Sequence, residues 1–179
     1  YGGWSMDDHH PAGLYYPGKP TIYHAAPSPY GIPYRSLYSR NIENLLFAGR
    51  NISVTHAALS STRVMGTCAI LGQAAGTAAA LCVRHACEPR SLSSGGRLKE
   101  LQVTLLGDDC WLPGYTRPTS DLARQASLTA ANSGAPVLLD GMDRDRENEV
   151  HHWTGPVGSN VEFSWKAPAR LGGARFVFD

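Results

Sequence analysis

Apolar and polar positions follow different patterns in different parts of the chain. Residues 1–40 are rich in Gly, Pro, Tyr and His and show no sustained period, which predicts irregular structure with short strands. A stretch of this length usually lines a site or belongs to a domain whose other part lies elsewhere. Residues 44–50 then form a short apolar run that reaches Gly49, as in a strand buried on both faces of a parallel sheet. We therefore predict a strand here.

Residues 63–86 predict one long helix. The three hydroxyl residues at 60–62 suit a helix N-cap, and no proline follows them until position 89. Small and apolar residues occupy nearly the whole circumference, so we expect burial on almost every side. Gly66, Gly72 and Gly76 each lower helix stability by about 1 kcal/mol relative to alanine. Three such costs indicate that another backbone approaches the helix closely.

The remainder of the chain changes character again. Residues 89–97 are polar and predict a turn or linker, and residues 97–106 predict a short amphipathic helix. From about residue 118, short β-type runs alternate with turn residues. These runs are residues 127–130, 137–139, 161–165 and 174–178.

These patterns predict an α/β fold, a partial Rossmann-like domain, followed by an incomplete all-β sandwich. The expected divisions are residues 1–90 for the α/β part, 91–117 for a linker with a short helix, and 118–179 for the sandwich.

Charge excludes some partners. The chain has 16 basic and 15 acidic residues, a formal net charge of +1, so no long-range field would attract nucleic acid. No basic stripe with interleaved aromatic residues is present, and a nucleic-acid partner is not expected. The four cysteines show no CxxC spacing, so neither a zinc site nor a disulfide framework is indicated. We expect buried thiols and no metal.

Residues 64–83 carry no charge and contain a Gly-xxx-Gly pair, a pattern that also occurs in membrane-spanning helices. Most of this stretch is Ala, Gly and Thr, however, Gln73 lies in its middle, and no Trp or Tyr belt flanks it. A soluble helix is the preferred interpretation, and no membrane span is expected.

A buried strand that ends in glycine, a loop, and a helix containing glycines is the arrangement by which α/β proteins hold a cofactor at strand ends. The helix N-terminus offers unpaired N–H groups and a partial positive charge. Those features suit a phosphate or the electron-rich pyrimidine edge of a reduced flavin.

The motifs in this region resemble those of the FAD-dependent oxidoreductase family of bacterial carbohydrate-utilising organisms. They are YRSL at 34–37, NLLFAGRNIS at 44–53, TRVMGTC at 62–68 and GQAAGTAA at 72–79. The resemblance covers about residues 1–110. It implies a glutathione-reductase-like FAD domain in which hydride passes from a small-molecule or carbohydrate-derived substrate to flavin N5.

The family's phosphate-binding GxGxxG motif lies near the N-terminus of the full protein, and this chain lacks it. The resemblance therefore implies that the chain is a fragment, inactive alone, whose partner is the remainder of its own FAD domain. It determines no cellular location, although a bacterial family of this type is compatible with the periplasm or the extracellular space.

The resemblance also implies positions for the cofactor contacts. Gly49 and Arg50 should lie near the ribityl chain or the pyrophosphate. The start of the long helix should face the isoalloxazine ring through Arg63, Val64, Met65 and Gly66. A fixed guanidinium can neutralise pyrophosphate or hold the charge that develops near N1 of the reduced flavin. The alternative is that Arg35, Arg50 and Arg63 are structural ion-pair partners.

Two places offer acid–base groups for catalysis. The segment GGWSMDDHHP at 2–11 resembles a family segment on the substrate side, and Asp7, His9 and His10 could act as base and orienting group. His56, in the loop after the predicted strand, is a second candidate for the base. The alternatives are a solvated turn or a weak metal site at 7–10, and a non-catalytic role for His56.

Short motifs in the last third resemble the opening half of a galactose-binding-like, discoidin-type sandwich. There we expect Asp140 to bond the loop backbone and Gly141 to take a positive φ. Trp153 and Trp165 could stack on a sugar or, as we prefer, pack in a core. A calcium site at Asp140, Asp143 and Asp145 is opposed by neighbouring arginines. The alternative function for the chain is a non-catalytic carbohydrate-binding or structural module.

Overall fold

The structure is a computed structural model that describes residues 1–26, 29–132, 134–146 and 148–178. The chain divides into two compact units, Tyr1–Tyr115 and Thr116–Asp179. Each unit is a mixture of helices with one small sheet, and each is described by itself.

The first unit opens with a hairpin and continues with three helices. Strands β1 (Met6–His9) and β2 (Thr21–His24) pair in antiparallel register. The helices are α1 (His56–Thr62), α2 (Met65–Arg84) and α3 (Arg97–Gly107). Single 3₁₀ turns lie between these elements at Gly13–Tyr15, Tyr34–Leu37, Gly49–Asn51 and Pro89–Ser93.

The strand predicted at residues 44–50 is absent, and that prediction is wrong. Leu46 forms an isolated antiparallel bridge with Tyr38, and the N–H of Phe47 donates to the Leu37 carbonyl at 2.7 Å. The 3₁₀ turn Gly49–Asn51 follows at once. The backbone is thus satisfied by the segment just before it, and both sheets among the described residues are two-stranded and antiparallel.

The helix predicted at 63–86 is confirmed as α2, which begins two residues later than predicted, and a separate helix, α1, precedes it. α1 ends at Thr62 and α2 begins at Met65, with Val64 in an extended conformation between them at ψ 149°. The hydroxyl residues predicted to cap the long helix instead form the last turn of α1. There Ser60 and Thr62 donate to carbonyls three and four residues back, at 2.6 and 3.1 Å. Thr55 caps α1 by accepting from the Ala58 N–H.

The expected burial of α2 on nearly every side is also wrong. One face is buried, whereas Met65 and Val83 are 89% and 83% exposed. The buried residues are Thr67, Leu71, Ala75, Ala78 and Leu81. A Cβ built on Gly66, Gly72 or Gly76 would meet nothing within 4 Å, so no close backbone approach explains these glycines in the described part of the chain. By length and composition α2 could cross a membrane, which is a weak indication because core helices pass the same test.

Two hydrophobic clusters hold the first unit together. The larger lies between α2, the turn Pro89–Ser93 and α3 and consists of Ala78, Leu81, Leu92, Leu101, Leu105 and Cys110. The smaller consists of Leu37, Ile52 and Leu71. The helix predicted at 97–106 is confirmed as α3. Leu92 is 0% exposed, so the polar stretch predicted as a turn or linker is anchored in the core.

The second unit contains a short helix and one pair of strands. α4 (Asp121–Arg124) is capped by Ser120, and β3 (Ser127–Ala130) pairs antiparallel with β4 (Val161–Ser164). The strands predicted at 127–130 and 161–165 are therefore confirmed. Residues 137–139 lie instead in a 3₁₀ turn, Ala135–Leu139, and residues 174–178 form no strand. A single strand pair is what the described residues show where a sandwich was expected.

The turn at Asp140 and Gly141 has the predicted form. The Asp140 carboxylate accepts from the Met142 N–H at 2.7 Å, and Gly141 has φ +79°. A Cβ on Gly141 would overlap the backbone of Arg117, whose N–H donates to the Gly141 carbonyl at 2.8 Å. Glycine is therefore required at this position by both conformation and space.

Candidate functional site

Helix α1 packs against β1 and brings acidic and basic side chains together. Nε2 of His56 lies 2.9 Å from Oδ1 of Asp8, and the Arg63 guanidinium donates to the Asp7 carbonyl at 2.8 Å. His9 Nε2 lies 3.8 Å from Oδ2 of Asp7. We call these five residues, Asp7, Asp8, His9, His56 and Arg63, the acid–base cluster. It contains three of the four predicted catalytic residues and one predicted flavin contact.

The local sequence explains why α1 can serve this cluster. His56 is the first residue of α1 and Arg63 immediately follows its last, so the two lie two turns apart on one face. Both therefore reach the same neighbouring strand. The N-terminal segment is held there by Ser61, whose hydroxyl donates to the Trp4 carbonyl at 2.6 Å and also bonds the Tyr30 hydroxyl.

His10 is not part of the acid–base cluster. Its ring stacks on Tyr16 with centroids 3.9 Å apart, and its Nδ1 accepts from the Ala12 N–H at 3.1 Å. Its predicted catalytic role therefore has no contact with the other candidates to support it. Asp8, in contrast, was not among the predicted catalytic residues, because its contact with His56 joins segments far apart in sequence.

The predicted flavin contacts at the start of α2 form an open helix tip. Val64 is the N-cap and its side chain makes no capping hydrogen bond, while the N–H of Cys68 makes the first bond, to the Val64 carbonyl at 2.9 Å. The amides that precede Cys68 in the helix lack intrahelical partners. Met65 is exposed, and the space beside Gly66 is open.

Gly49 and Arg50, the other predicted cofactor residues, lie in the 3₁₀ turn that packs against α2. Gly49 has φ +86°, a conformation that favours glycine, and Arg50 is exposed. Neither residue contributes to the acid–base cluster.

The cavities of the first unit differ in size and place. A cleft of about 20 Å³, room for one water molecule, is lined by residues of the acid–base cluster together with Leu59 and Ser60. A groove of about 720 Å³ lies at the opposite end of α2, beside Cys82 and Cys87. At 1.5 Å per residue the two are separated by roughly 25 Å along the helix. The acid–base cluster and the larger groove therefore lie at different places in this unit.

In the second unit, the residues considered for binding sugar or calcium make contacts with other residues of the same unit. The indole N–H groups of Trp153 and Trp165 donate to Asn132 Oδ1 at 2.6 Å and to the Leu122 carbonyl at 2.9 Å, which favours packing over stacking on a ligand. Each of the three carboxylates has a basic neighbour: Asp140 with His151, Asp143 with Arg117, Asp145 with His152. Within the described residues, no group of three or more His, Cys, Asp or Glu is arranged to hold a metal.

Comparison with known proteins assigns the first unit. A family model described as FAD dependent oxidoreductase matches residues 1–105. No curated protein and no solved structure shows a significant match. The matched residues include the whole acid–base cluster and the tip of α2, and the family's cofactor is FAD. The chain therefore belongs to the FAD dependent oxidoreductase family.

Proposed function

We propose that this chain supplies acid–base groups and a flavin-contacting helix tip to an FAD-dependent oxidoreductase that removes hydride and a proton from a small hydroxyl- or amine-bearing substrate. The observation that carries the proposal is the His56–Asp8 contact, which lines the same small cleft as Arg63, two residues before the start of α2. His56, Arg63 and the N-terminus of α2, whose partial positive charge favours anions, thus lie within residues 56–66.

The residues at the tip of α2 fit an anionic, electron-rich group. The first amides of α2 are uncapped, and the helix N-terminus carries a partial positive charge. Gly66 leaves room for close approach. Arg63, Val64, Met65 and Gly66 would hold this part of FAD, with Gly49 and Arg50 toward its phosphates. When bound, FAD supplies a two-electron acceptor for hydride at N5.

Arg63 keeps its positive charge available for this role. Its hydrogen-bonded partner is the neutral carbonyl of Asp7, and the nearest Asp7 carboxylate oxygen is 4.0 Å away. A guanidinium held by a neutral group is positioned without being neutralised by it. It can therefore balance negative charge on a neighbouring ligand.

His56 and Asp8 have the arrangement of a base and its orienting carboxylate. Nε2 lies 2.9 Å from Oδ1 of Asp8, but the two atoms do not have hydrogen-bond geometry, so this contact does not fix the tautomer. In the tautomer that carries its proton on Nε2, Nδ1 has the lone pair. Nδ1 can accept the proton from a substrate O–H or N–H. Asp8 then stabilises the imidazolium, and the His56 side chain, 69% exposed, is accessible to a polar substrate.

The sequence motifs at 34–79, together with this polar setting, support the proposed substrate class. Those motifs resemble a bacterial, carbohydrate-utilising type, which favours polyols and sugar derivatives as substrates. We assign residues 116–179 an accessory role on the weaker resemblance to a galactose-binding-like module.

The base is tested by His56→Ala in the FAD-loaded protein. We expect the rate of anaerobic flavin reduction by a panel of polyols and reducing sugars to fall about a hundredfold, because proton removal loses its base. The acidic limb of the pH–rate profile, where a base is protonated and inactive, should also change. Stopped-flow absorbance measures both quantities. His24→Ala, at an exposed histidine in the hairpin that carries Asp8, is the matched control. Equal rates and profiles for the wild type and His56→Ala would refute the assignment.

The helix tip is tested by Arg63→Ala and Arg63→Lys. Loss of the guanidinium should raise the dissociation constant for FAD about tenfold, the loss of one charge-assisted contact, and lower the flavin reduction potential. Arg63→Lys should lie between the wild type and the alanine variant. Fluorescence titration and spectroelectrochemistry measure the two effects, with Arg170→Ala in the second unit as control. Unchanged affinity and potential in Arg63→Ala would contradict a flavin contact at this tip.

A further inference from the structure

Helix α2 ends in a hydrogen-bond pattern that brings two cysteines together. The N–H of Cys87 donates to the Cys82 carbonyl at 3.0 Å, and the N–H of Ala86 donates to the Val83 carbonyl at 3.2 Å. Ala86 has φ +46°, in the left-handed region. These are the two bonds and the left-handed residue of a Schellman C-cap, which brings its first and last residues close together. In this helix those residues are Cys82 and Cys87.

The two thiols are free and interact with each other. Both cysteines are partly exposed. Burial raises the pKa of the Cys82 thiol, and the neighbouring Cys87 thiol raises it further by charge and by a hydrogen bond. This influence of Cys87 on the pKa of Cys82 agrees with the closeness that the C-cap geometry gives the two residues. We call Cys82 and Cys87 the C-cap dithiol.

The C-cap dithiol is accessible to small molecules. Both cysteines line the groove of about 720 Å³, whose walls include Leu46, Val83 and Pro89. A reagent that enters this groove meets both sulfurs. Cys110, by contrast, is buried in the larger hydrophobic cluster.

We propose that Cys82 and Cys87 form a reversible intramolecular disulfide by exchange with a small-molecule disulfide. One thiolate attacks the reagent and releases its first thiol, leaving a mixed disulfide. The second cysteine then attacks the protein sulfur and releases the second thiol. The cysteines lose two electrons and two protons, and the reagent takes up both as two thiols. The site is at the opposite end of α2 from the acid–base cluster, so it stands independently of the function proposed above.

The C-cap geometry explains why the second step should succeed. The 6→1 hydrogen bond keeps Cys82 and Cys87 one helical turn apart, within the range of Cα separations that a disulfide spans. Cys68 lies on the same helix, fourteen positions before Cys82, and so about 20 Å away along the axis. Exchange should therefore stop at the mixed disulfide for Cys68 and proceed to ring closure for the C-cap dithiol.

Oxidised glutathione is the probe, and trypsin provides a direct readout. Cleavage after Arg63, Arg84 and Arg90 places Cys82 and Cys87 in different peptides, 64–84 and 85–90. After incubation of the native chain with oxidised glutathione and alkylation of remaining thiols, we expect these peptides joined by a disulfide in the mass spectrum. Dithiothreitol should separate them. The linkage should form faster as the pH rises, because Cys82 is protonated at neutral pH.

Matched cysteine variants decide between the outcomes. Cys68→Ser should keep the joined peptides, which shows that Cys82 and not Cys68 is the partner within peptide 64–84. Cys82→Ser should lose them and retain glutathione on Cys87. Glutathione adducts without joined peptides in the wild type, or joined peptides that persist in Cys82→Ser, would overturn the proposal. Unchanged far-UV circular dichroism of both variants shows that the chain remains folded.

Discussion

In the first unit, Tyr1–Tyr115, two clusters of buried hydrophobic side chains lie between helices and turns. In the second unit, Thr116–Asp179, Ala135 at 3% exposure is the one buried hydrophobic residue among those described. The first unit is thus stabilised mainly by removal of apolar surface from water, which is non-directional and insensitive to pH. The second must depend on contacts that are directional.

Those directional contacts are visible in the second unit. Arg117 forms an ion pair with Asp143, and Thr119 donates to the Leu139 carbonyl at 2.9 Å. The His151 ring contacts the Asp140 carboxylate at 2.7 Å, and the backbone N–H of His151 donates to the Asp145 carboxylate at 2.8 Å. The comparison teaches that two units in one chain can respond differently to the same perturbation. Hydrogen exchange, read peptide by peptide, reports on each unit separately.

The largest expected effect is in the core of the first unit. Leu92→Ala removes a side chain that is 0% exposed and should lower the free energy of unfolding of this unit by about 3 kcal/mol, from lost burial and the cavity left behind. The matched control is Val83→Ala, on the exposed side of α2, with an effect within about 0.5 kcal/mol. Denaturant-dependent hydrogen exchange should show the loss in the first unit while exchange in the second unit stays unchanged. Equal effects of the two substitutions would remove the distinction drawn above.

A similar loss can be produced in the second unit through its backbone. Gly141→Ala places a Cβ against the backbone of Arg117 and forces alanine to φ +79°, so we expect a loss of about 3 kcal/mol there. Gly158 has φ +89° with open space around it, so Gly158→Ala isolates the conformational cost of about 1 kcal/mol. Hydrogen exchange of residues 116–178 measures both. If the two variants were equally stable, the close approach to Arg117 would not matter.

The smallest effect is a dependence of the second unit's stability on pH. The hydrogen bond to Asp140 raises the pKa of His151, with Glu149 also facing the ring, so this contribution is complete below about pH 6.5 and is lost as pH rises through the raised value. The N–H of His151, followed by the ring of His152, lowers the pKa of Asp145. That contribution is present above about pH 4 and is lost as pH falls through the lowered value.

The second unit should therefore be most stable between these limits. Hydrogen exchange of residues 116–178, measured at several pH values, reports this stability. His151→Asn should abolish the loss on the alkaline side. A wild-type second unit as stable at about pH 8 as at about pH 5 would contradict the role given to His151.

Local patterns in the sequence predicted the local structure. Helix α3, strands β3 and β4, and the turn at Gly141 depend on neighbours within a few residues, and each is present. The failures involve partners that a pattern does not specify. An apolar run at 44–50 suits a buried strand or a covered loop equally, and only the pairing with residues 37–39 decides between them.

The cap predicted for the long helix at residues 60–62 was wrong for a related reason. Hydroxyl residues can begin a helix or bond back to its last carbonyls, and at residues 60–62 they do the second. The candidate site shows the same limit. Residue type and the family resemblance drew attention to Asp7, His9, His56 and Arg63, but the approach of Asp8 to His56 is a tertiary contact that no spacing predicts. The role of each of these residues remains a prediction.

Arg63 connects three elements of the first unit. Its N–H closes α1 on the Leu59 carbonyl, α2 starts two residues later, and its guanidinium bonds the carbonyl of Asp7 in β1. One side chain thus tethers the N-terminal hairpin to the joint between two helices. A ligand that drew the guanidinium toward itself would remove that tether and loosen the hairpin, so arrival of an anion and movement of the segment bearing Asp7 would be coupled.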